Sequence, residues 1–240
     1  MKEPKEKKTK EPKEKKVKES IEKKVKETKE KKIKVPKEKK AKKIKDRQKW
    51  TSKYFKKFSG RASDSYDEML HLDYDRAIER AKQLSSIMES EFDSPIVITV
   101  PDAFDKNGRV TYRLDKKEDG TSSLLYDQAL VTILFFGDDS LFYYQANIDH
   151  RNGHIAFDIA GEFNYFDVVH METALKYDNA DNPKYITLDL EVGLADGTIV
   201  PFHLRNHRIH DGYDLPTLLT ASEQKVLDAI KRKVRESRML

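Results

Sequence analysis

The densest concentration of chemically useful side chains is the run FHLRNHRIHDGYD, in which His203, His207 and His210 are followed by Asp211 and Asp214. Three imidazoles with carboxylates nearby form a ligand set for zinc or a non-haem metal. A metal-dependent enzyme using His203, His207 and His210 is therefore the enzymatic reading of this chain. Against it, the run lacks the HExxH-type spacing that places two histidines on one helix face. Arg205 and Arg208 also bring positive charge among the would-be ligands. The plainer reading is a set of loop histidines, with no metal and no cofactor.

A second group, NIDHRNGHIAFD, contains Asp149, His150, Asn152 and His154. Adjacent Asp and His side chains suit acid–base chemistry, but HRNGH is also an ordinary hairpin turn with Asn-Gly at its tip. His170 alternates with apolar neighbours and reads as a strand residue. The turn YDNADN offers oxygens from Asp178, Asn179, Asp181 and Asn182, without the spacing or terminal Glu of an EF-hand. No glycine-rich phosphate loop and no GxSxG elbow occurs. With no cysteine, disulfides, thiolate metal sites and a cysteine nucleophile are excluded together. The expectation is a non-enzymatic protein.

These residues need a scaffold, and the chain predicts one. The segment Asp73 to Glu91 reads as a helix with Ala77, Ile78, Ala81, Leu84 and Met88 on one side. Ile96–Val100 and Val110–Leu114 suggest a hairpin across a turn at Lys106-Asn107-Gly108, and KKEDGTSS a polar loop. From Gln128 onward six strands follow with short turns and no intervening helix, which predicts an antiparallel meander. Ile186, Leu188, Leu190 and Val192 alternate with polar residues, as in a half-buried strand. The closing stretch LTASEQKVLDAIKRKVRES has a capping box at Thr220 and Glu223 and an apolar face of Val226, Leu227, Ile230 and Val234. The predicted class is α+β: a mainly antiparallel sheet or partly closed barrel, one N-terminal helix and a C-terminal capping helix.

A very different segment precedes this body. From Lys2 the chain divides into octapeptides: KEPKEKKT, KEPKEKKV, KESIEKKV, KETKEKKI, KVPKEKKA and a degraded KKIKDRQK. Eight helical steps rotate each repeat by some 80° from the last, so Val17, Val25 and Ile33 spiral round the rod and make no seam. Pro4, Pro12 and Pro36 interrupt helix. Between them, Glu14, Glu19, Glu22, Glu27 and Glu30 each precede a lysine by four residues, worth about 0.2–0.5 kcal/mol per pair. A disordered or partly helical charged arm is predicted over 1–49. Met1 to Lys57 holds 27 Lys/Arg against 10 Asp/Glu, a net +17, and the remainder carries −12.

Such an arm is suited to a polyanion, either nucleic acid or an anionic membrane surface, through lysine pairs such as Lys7, Lys8, Lys15, Lys16, Lys23, Lys24, Lys31, Lys32, Lys39 and Lys40. With Arg47 the single arginine among so many lysines, base-specific readout is not expected. Alternatively the arm is only a solubilising spacer, or it docks on the acidic body. It ends at KWTSKYFKKFSGR, where Trp50, Tyr54, Phe55 and Phe58 share one face of a short amphipathic helix over 50–60. This aromatic anchor either enters a membrane interface or packs on the domain at 61–240. No apolar run of 18 residues and no signal-peptide pattern is present, so a cytoplasmic protein without a transmembrane segment is expected.

Two resemblances follow. The arm is similar in composition alone to the lysine-rich tails of histone-like proteins. The element order over about 129–236 (a curled antiparallel sheet, then one helix) resembles the pleckstrin-homology-like fold, in particular its bacterial and GRAM-type members. Lipid-binding members of that family are expected to carry basic residues around the first hairpin, whereas that turn here is GDDS, with Asp138 and Asp139. The resemblance therefore implies recognition of a protein partner or scaffolding by the body.

Overall fold

The computed structural model describes residues 37–102, 110–118, 120–208 and 218–239, with the side chains of 37–45, 89, 207 and 208 outside that description. The octapeptide array, the Glu–Lys ladder and the turn at 106–108 therefore lie outside the described residues. The chain divides into two units, Met1–Lys45 and Asp46–Leu240. The division falls four residues before the expected end of the arm.

Helix α1 (Lys37–Phe55) begins directly after Pro36 and contributes its second half to the larger unit. Strand β1 (Ser59–Arg61) leads to α2 (Asp64–Ser85). Its first turn carries Asp64 and Asp67, where the helix dipole favours anions. It ends where Ser86 turns left-handed at φ 54°. The expected helix at 73–91 is thus corrected at both ends. The true buried stripe is Tyr66, Asp73, Ala77 and Ala81, while Leu84 and Met88 are exposed.

The remaining strands are β2 (Ile96–Pro101), β3 (Tyr112–Lys116), β4 (Ser122–Tyr126), β5 (Gln128–Phe136), β6 (Ser140–Asp149), β7 (His154–Asn164), β8 (Val168–Tyr177), β9 (Tyr185–Leu194) and β10 (Ile199–Arg208). Helix α3 (Ala221–Ser237) closes the fold. Four strands form an antiparallel sheet in the order β2-β5-β6-β7, three form β10-β9-β8, and β1-β3-β4 make a small third sheet. The six strands from Gln128 form two antiparallel meanders, β5-β6-β7 and β8-β9-β10, where one continuous meander is expected, and among the described residues β7 and β8 do not pair.

The expected hairpin of Ile96–Val100 with Val110–Leu114 does not form. β2 pairs with β5 instead, and β3 pairs with β4 across the segment read as a loop. The cause lies in β5. Its residues Val131, Ile133 and Phe135 face α2, whereas Leu134 and Phe136 face α3 and the second sheet. A strand buried on both faces reads as a continuous apolar run and needs a neighbour on each edge for its backbone groups. β2 and β6 supply those edges.

Among the described residues the sheets do not close into a barrel. β10 runs beside β2, with Asn206 Nδ2 donating to Pro101 O at 3.3 Å. At the other side the short 3-10 turn Tyr165–Asp167 separates β7 from β8, which remain edges. The buried face of α3 (Val226, Leu227, Ile230, Val234) fills the mouth that closure would occupy. Every residue of the predicted apolar face is buried, as are Ile186, Leu188, Leu190 and Val192 on β9.

Gly161 on β7 lies directly across from Tyr143 on β6, whose ring covers it. A Cβ at 161 would sit 2.4 Å from the phenol oxygen of Tyr143. The ring is held by Phe163 and, edge-on, by Phe202 at a centroid distance of 5.6 Å. Gly161→Ala should cost about 1–3 kcal/mol, as overpacking does, read as a lower melting temperature. The Tyr143→Leu background should erase most of that loss, because it removes the colliding atoms.

Candidate functional site

The constellation nearest to catalytic geometry is built around His150 and Asp73. His150 sits at the end of β6 and is fully buried. Its Nδ1 lies 2.7 Å from Asp73 Oδ2, on the buried stripe of α2. Arg47, from the second half of α1, donates to both Asp73 oxygens, at 3.0 and 2.5 Å. The same guanidinium donates through Nε and a terminal nitrogen to the His150 carbonyl, at 3.0 and 2.8 Å. Arg76 adds a bond to Asp73 Oδ1 at 3.2 Å and another to the Gly153 carbonyl.

Burial by itself raises the Asp73 carboxyl pKa, but hydrogen bonds from His150 and Arg47 outweigh it and hold the group below its ordinary value. With Asp73 ionised, Nδ1 carries the proton that it donates. Among the described residues Nε2 has no hydrogen-bond partner. A histidine oriented by a carboxylate, with its second nitrogen unoccupied, is the arrangement used by general bases. Here that nitrogen lies in the interior, and the Tyr74 ring meets the imidazole edge-on at a centroid distance of 5.9 Å. A base must come within hydrogen-bond reach of the proton that it abstracts, and a fully buried imidazole offers no such approach. The cluster ties α1, α2 and the β6–β7 turn together.

Arg47 thereby acquires a role that composition hides. A lysine presents one compact cation, whereas this position engages a carboxylate and a carbonyl at once, which only the guanidinium fork can do. Arg47 lies just inside the larger unit, which starts at Asp46.

The aromatic anchor is also placed. Phe55 is buried, and Trp50 and Tyr54 are half-buried. Tyr66 of α2 stacks on Trp50 and Tyr54 and meets Phe55 edge-on. The Tyr54 hydroxyl donates to Asp115, and Arg113 lies 4.1 Å over the Tyr54 ring while donating to the Tyr54 and Lys57 carbonyls. Burial first, and Asp115 second, push the Tyr54 hydroxyl pKa well up. Phe58 alone of the four is exposed, at 47%. Of the two readings of this segment, packing on the domain is the one the contacts describe.

Of the three histidines in the histidine-rich run, only His203 has a described side chain. His203 is held by Asp189, its direct cross-strand neighbour, with Nδ1 2.8 Å from Oδ1. The side chain of His207 and all of His210, Asp211 and Asp214 lie outside the described residues. Among the described residues no three His, Asp or Glu side chains group to hold a metal ion. In the turn YDNADN, Asp178 Oδ1 accepts from the Lys184 and Tyr185 amides and Asn179 Oδ1 from Asp181. Those backbone amides, Tyr185 foremost, lower the Asp178 pKa. Its oxygens serve the loop.

Of the arm lysines, Lys39 and Lys40 lie on α1, with side chains outside the described residues, as are the other eight entirely. A surface feature that sequence reasoning missed is a groove of about 240 Å³ between β8 and α3. Val168, Val169, His170 and Met171 line one side, and Lys231, Val234, Arg235 and Arg238 the other. Among the described residues no helix is long and apolar enough to cross a membrane. Compared with protein-family models, curated proteins and solved structures, the chain matches none.

Proposed function

We propose that the chain is a non-enzymatic adaptor in which the lysine-rich segment attracts a polyanion and the body recognises a protein. The observation that carries this reading is the segregation of charge along the polymer, +17 over 1–57 against −12 over the rest. Residues 1–45 alone hold 22 lysines and nine glutamates. Attraction of this kind is long-ranged and weak per contact, and falls steeply with salt because it releases counterions. Lysines without interleaved aromatics bind backbone charge and read no bases.

We read the body as pleckstrin-homology-like. What supports this is the order of its strands: four antiparallel, β2-β5-β6-β7, then three, β8 to β10, then α3. In this reading the β3–β4 hairpin is an insertion between the first two strands of the first sheet. In this reading GDDS joins the second and third strands, and protein recognition is the role proposed for the body.

The test compares the full chain with a form lacking residues 1–45, which leaves Arg47 in place. Binding to a labelled DNA duplex and to vesicles containing anionic lipid is followed as salt is raised. Deletion should weaken low-salt binding to at least one of them roughly tenfold or more and flatten the salt dependence, with the thermal melt of the body unchanged. Equal binding by both forms to both polyanions would leave the segment as a spacer and overturn the reading.

A further inference from the structure

The ten-residue strand β8 pairs with β9 on one side, and among the described residues nothing pairs with its other edge. At about 3.3 Å per residue this is a long row of open backbone donors and acceptors. Natural edges of this length are blunted by proline, bulges or inward charge. β8 has one bulge, at its start between Val168 and His170, and no proline. It also carries an unfavourable feature, because Glu172 lies directly opposite Glu191 on β9. Like charges in that position repel, and Glu172 is 61% exposed.

We propose that β8 pairs antiparallel with β8 of a second copy of this chain, about a two-fold axis through Ala174. Charge selects this register. A two-fold pairing keeps the two sheet faces distinct, so only residues of one face meet. Centred on Glu172, it would set that carboxylate against itself. Centring on Thr173 would leave Glu172 facing Ala174 and without an opposite charge, and centring on Leu175 would set Glu172 against Asp178. Centred on Ala174, Glu172 meets the partner's Lys176, and Lys176 meets the partner's Glu172.

The other face agrees with this choice. Thr173 meets the partner's Leu175, and Met171 meets the partner's Tyr177, a thioether against an aromatic ring. Tyr177 is 49% exposed without such a partner. Beyond the strand end, the partner's acidic turn at 178–182 arrives at the β8–α3 groove, where Lys231, Arg235 and Arg238 line the far wall. The product is a continuous six-stranded sheet with a self-complementary interface.

Sedimentation equilibrium of the full chain, from about 1 to 100 µM, tests this. The wild type should form dimers over that range. Glu172→Lys and Lys176→Glu each turn two attractive pairs into repulsive ones, and each should weaken the dimer roughly tenfold. The double exchange Glu172→Lys/Lys176→Glu restores opposite charges in swapped positions and should recover wild-type association. A monomeric wild type, single variants that dimerise normally, or a double variant that fails to recover would each overturn the proposal. The outcome is independent of polyanion binding, which the charge exchange leaves in place.

Discussion

Asp73→Ala is expected to lower the free energy of unfolding by about 3–5 kcal/mol, a large share of the total for a domain of this size. The carboxylate is 1% exposed and receives Arg47, Arg76 and His150. Its removal leaves the Arg47 guanidinium, 15% exposed, without its counter-charge. Breaking a buried pair from one side costs more than the pair contributes, because the survivor has lost both water and partner. Chemical denaturation at neutral pH measures the loss. The companion variant Arg47→Lys should lose a substantial part of the same stability, since an ammonium cannot serve the carboxylate and the His150 carbonyl together.

The same cluster sets an acid dependence with a definite sign. The folded Asp73 pKa lies below its unfolded value, so its stabilisation is fully present above that unfolded value of about 3.9. It is lost as pH falls through the lower folded value. Asp73→Asn should therefore flatten the acid limb of the stability profile. If wild type and variant fall in parallel below about pH 4, Asp73 is not the titrating group.

The second large effect belongs to Glu223. This side chain makes two kinds of contact at once. Its Oε2 accepts the Thr220 amide at 2.6 Å while Thr220 Oγ1 accepts the Glu223 amide at 3.2 Å, the reciprocal capping box of α3. The same carboxylate pairs with Arg205, whose Nε donates at 2.7 Å and which is 2% exposed. Arg205 also donates to the Leu218 carbonyl at 2.9 Å. Burial raises the Glu223 pKa, yet the Arg205 and Thr220 bonds prevail and lower it.

Glu223→Ala should therefore cost about 3–5 kcal/mol, whereas a cap alone is worth about 1 kcal/mol. Glu223→Gln keeps an acceptor for the Thr220 amide and removes the charge, so it should fall between wild type and the alanine variant. A loss near 1 kcal/mol for alanine would mean that the Arg205 contact adds nothing. The comparison of the three by thermal and denaturant melts separates cap from ion pair. The result also bears on the proposed β8 pairing, because α3 forms one wall of the β8 groove.

Much of this architecture is legible in local pattern. The period-2 alternation of Ile186 to Val192 places their faces, and all four are buried. The turn at Asn152-Gly153 forms where expected, with its glycine at positive φ, 71°. Even Asp73 leaves a local trace, being a carboxylate in register with Tyr66, Ala77 and Ala81 on a buried helix stripe. Such a residue implies a cation across the interface, but its sequence does not say which one.

What the chain determined by itself was period, face, caps, turns and the separation of charge, all of which depend on residues a few positions apart. The tertiary structure alone decided the pairings. His150 finds Asp73 across 77 positions and Arg47 across 103. β2 takes β5 in preference to the nearby β3, because a strand buried on both faces must have both edges satisfied. Hydrophobic periodicity records which side of an element avoids water and carries no label for the element that covers it. That choice is made by mutual satisfaction of buried groups, which exist as a set only after the chain has collapsed.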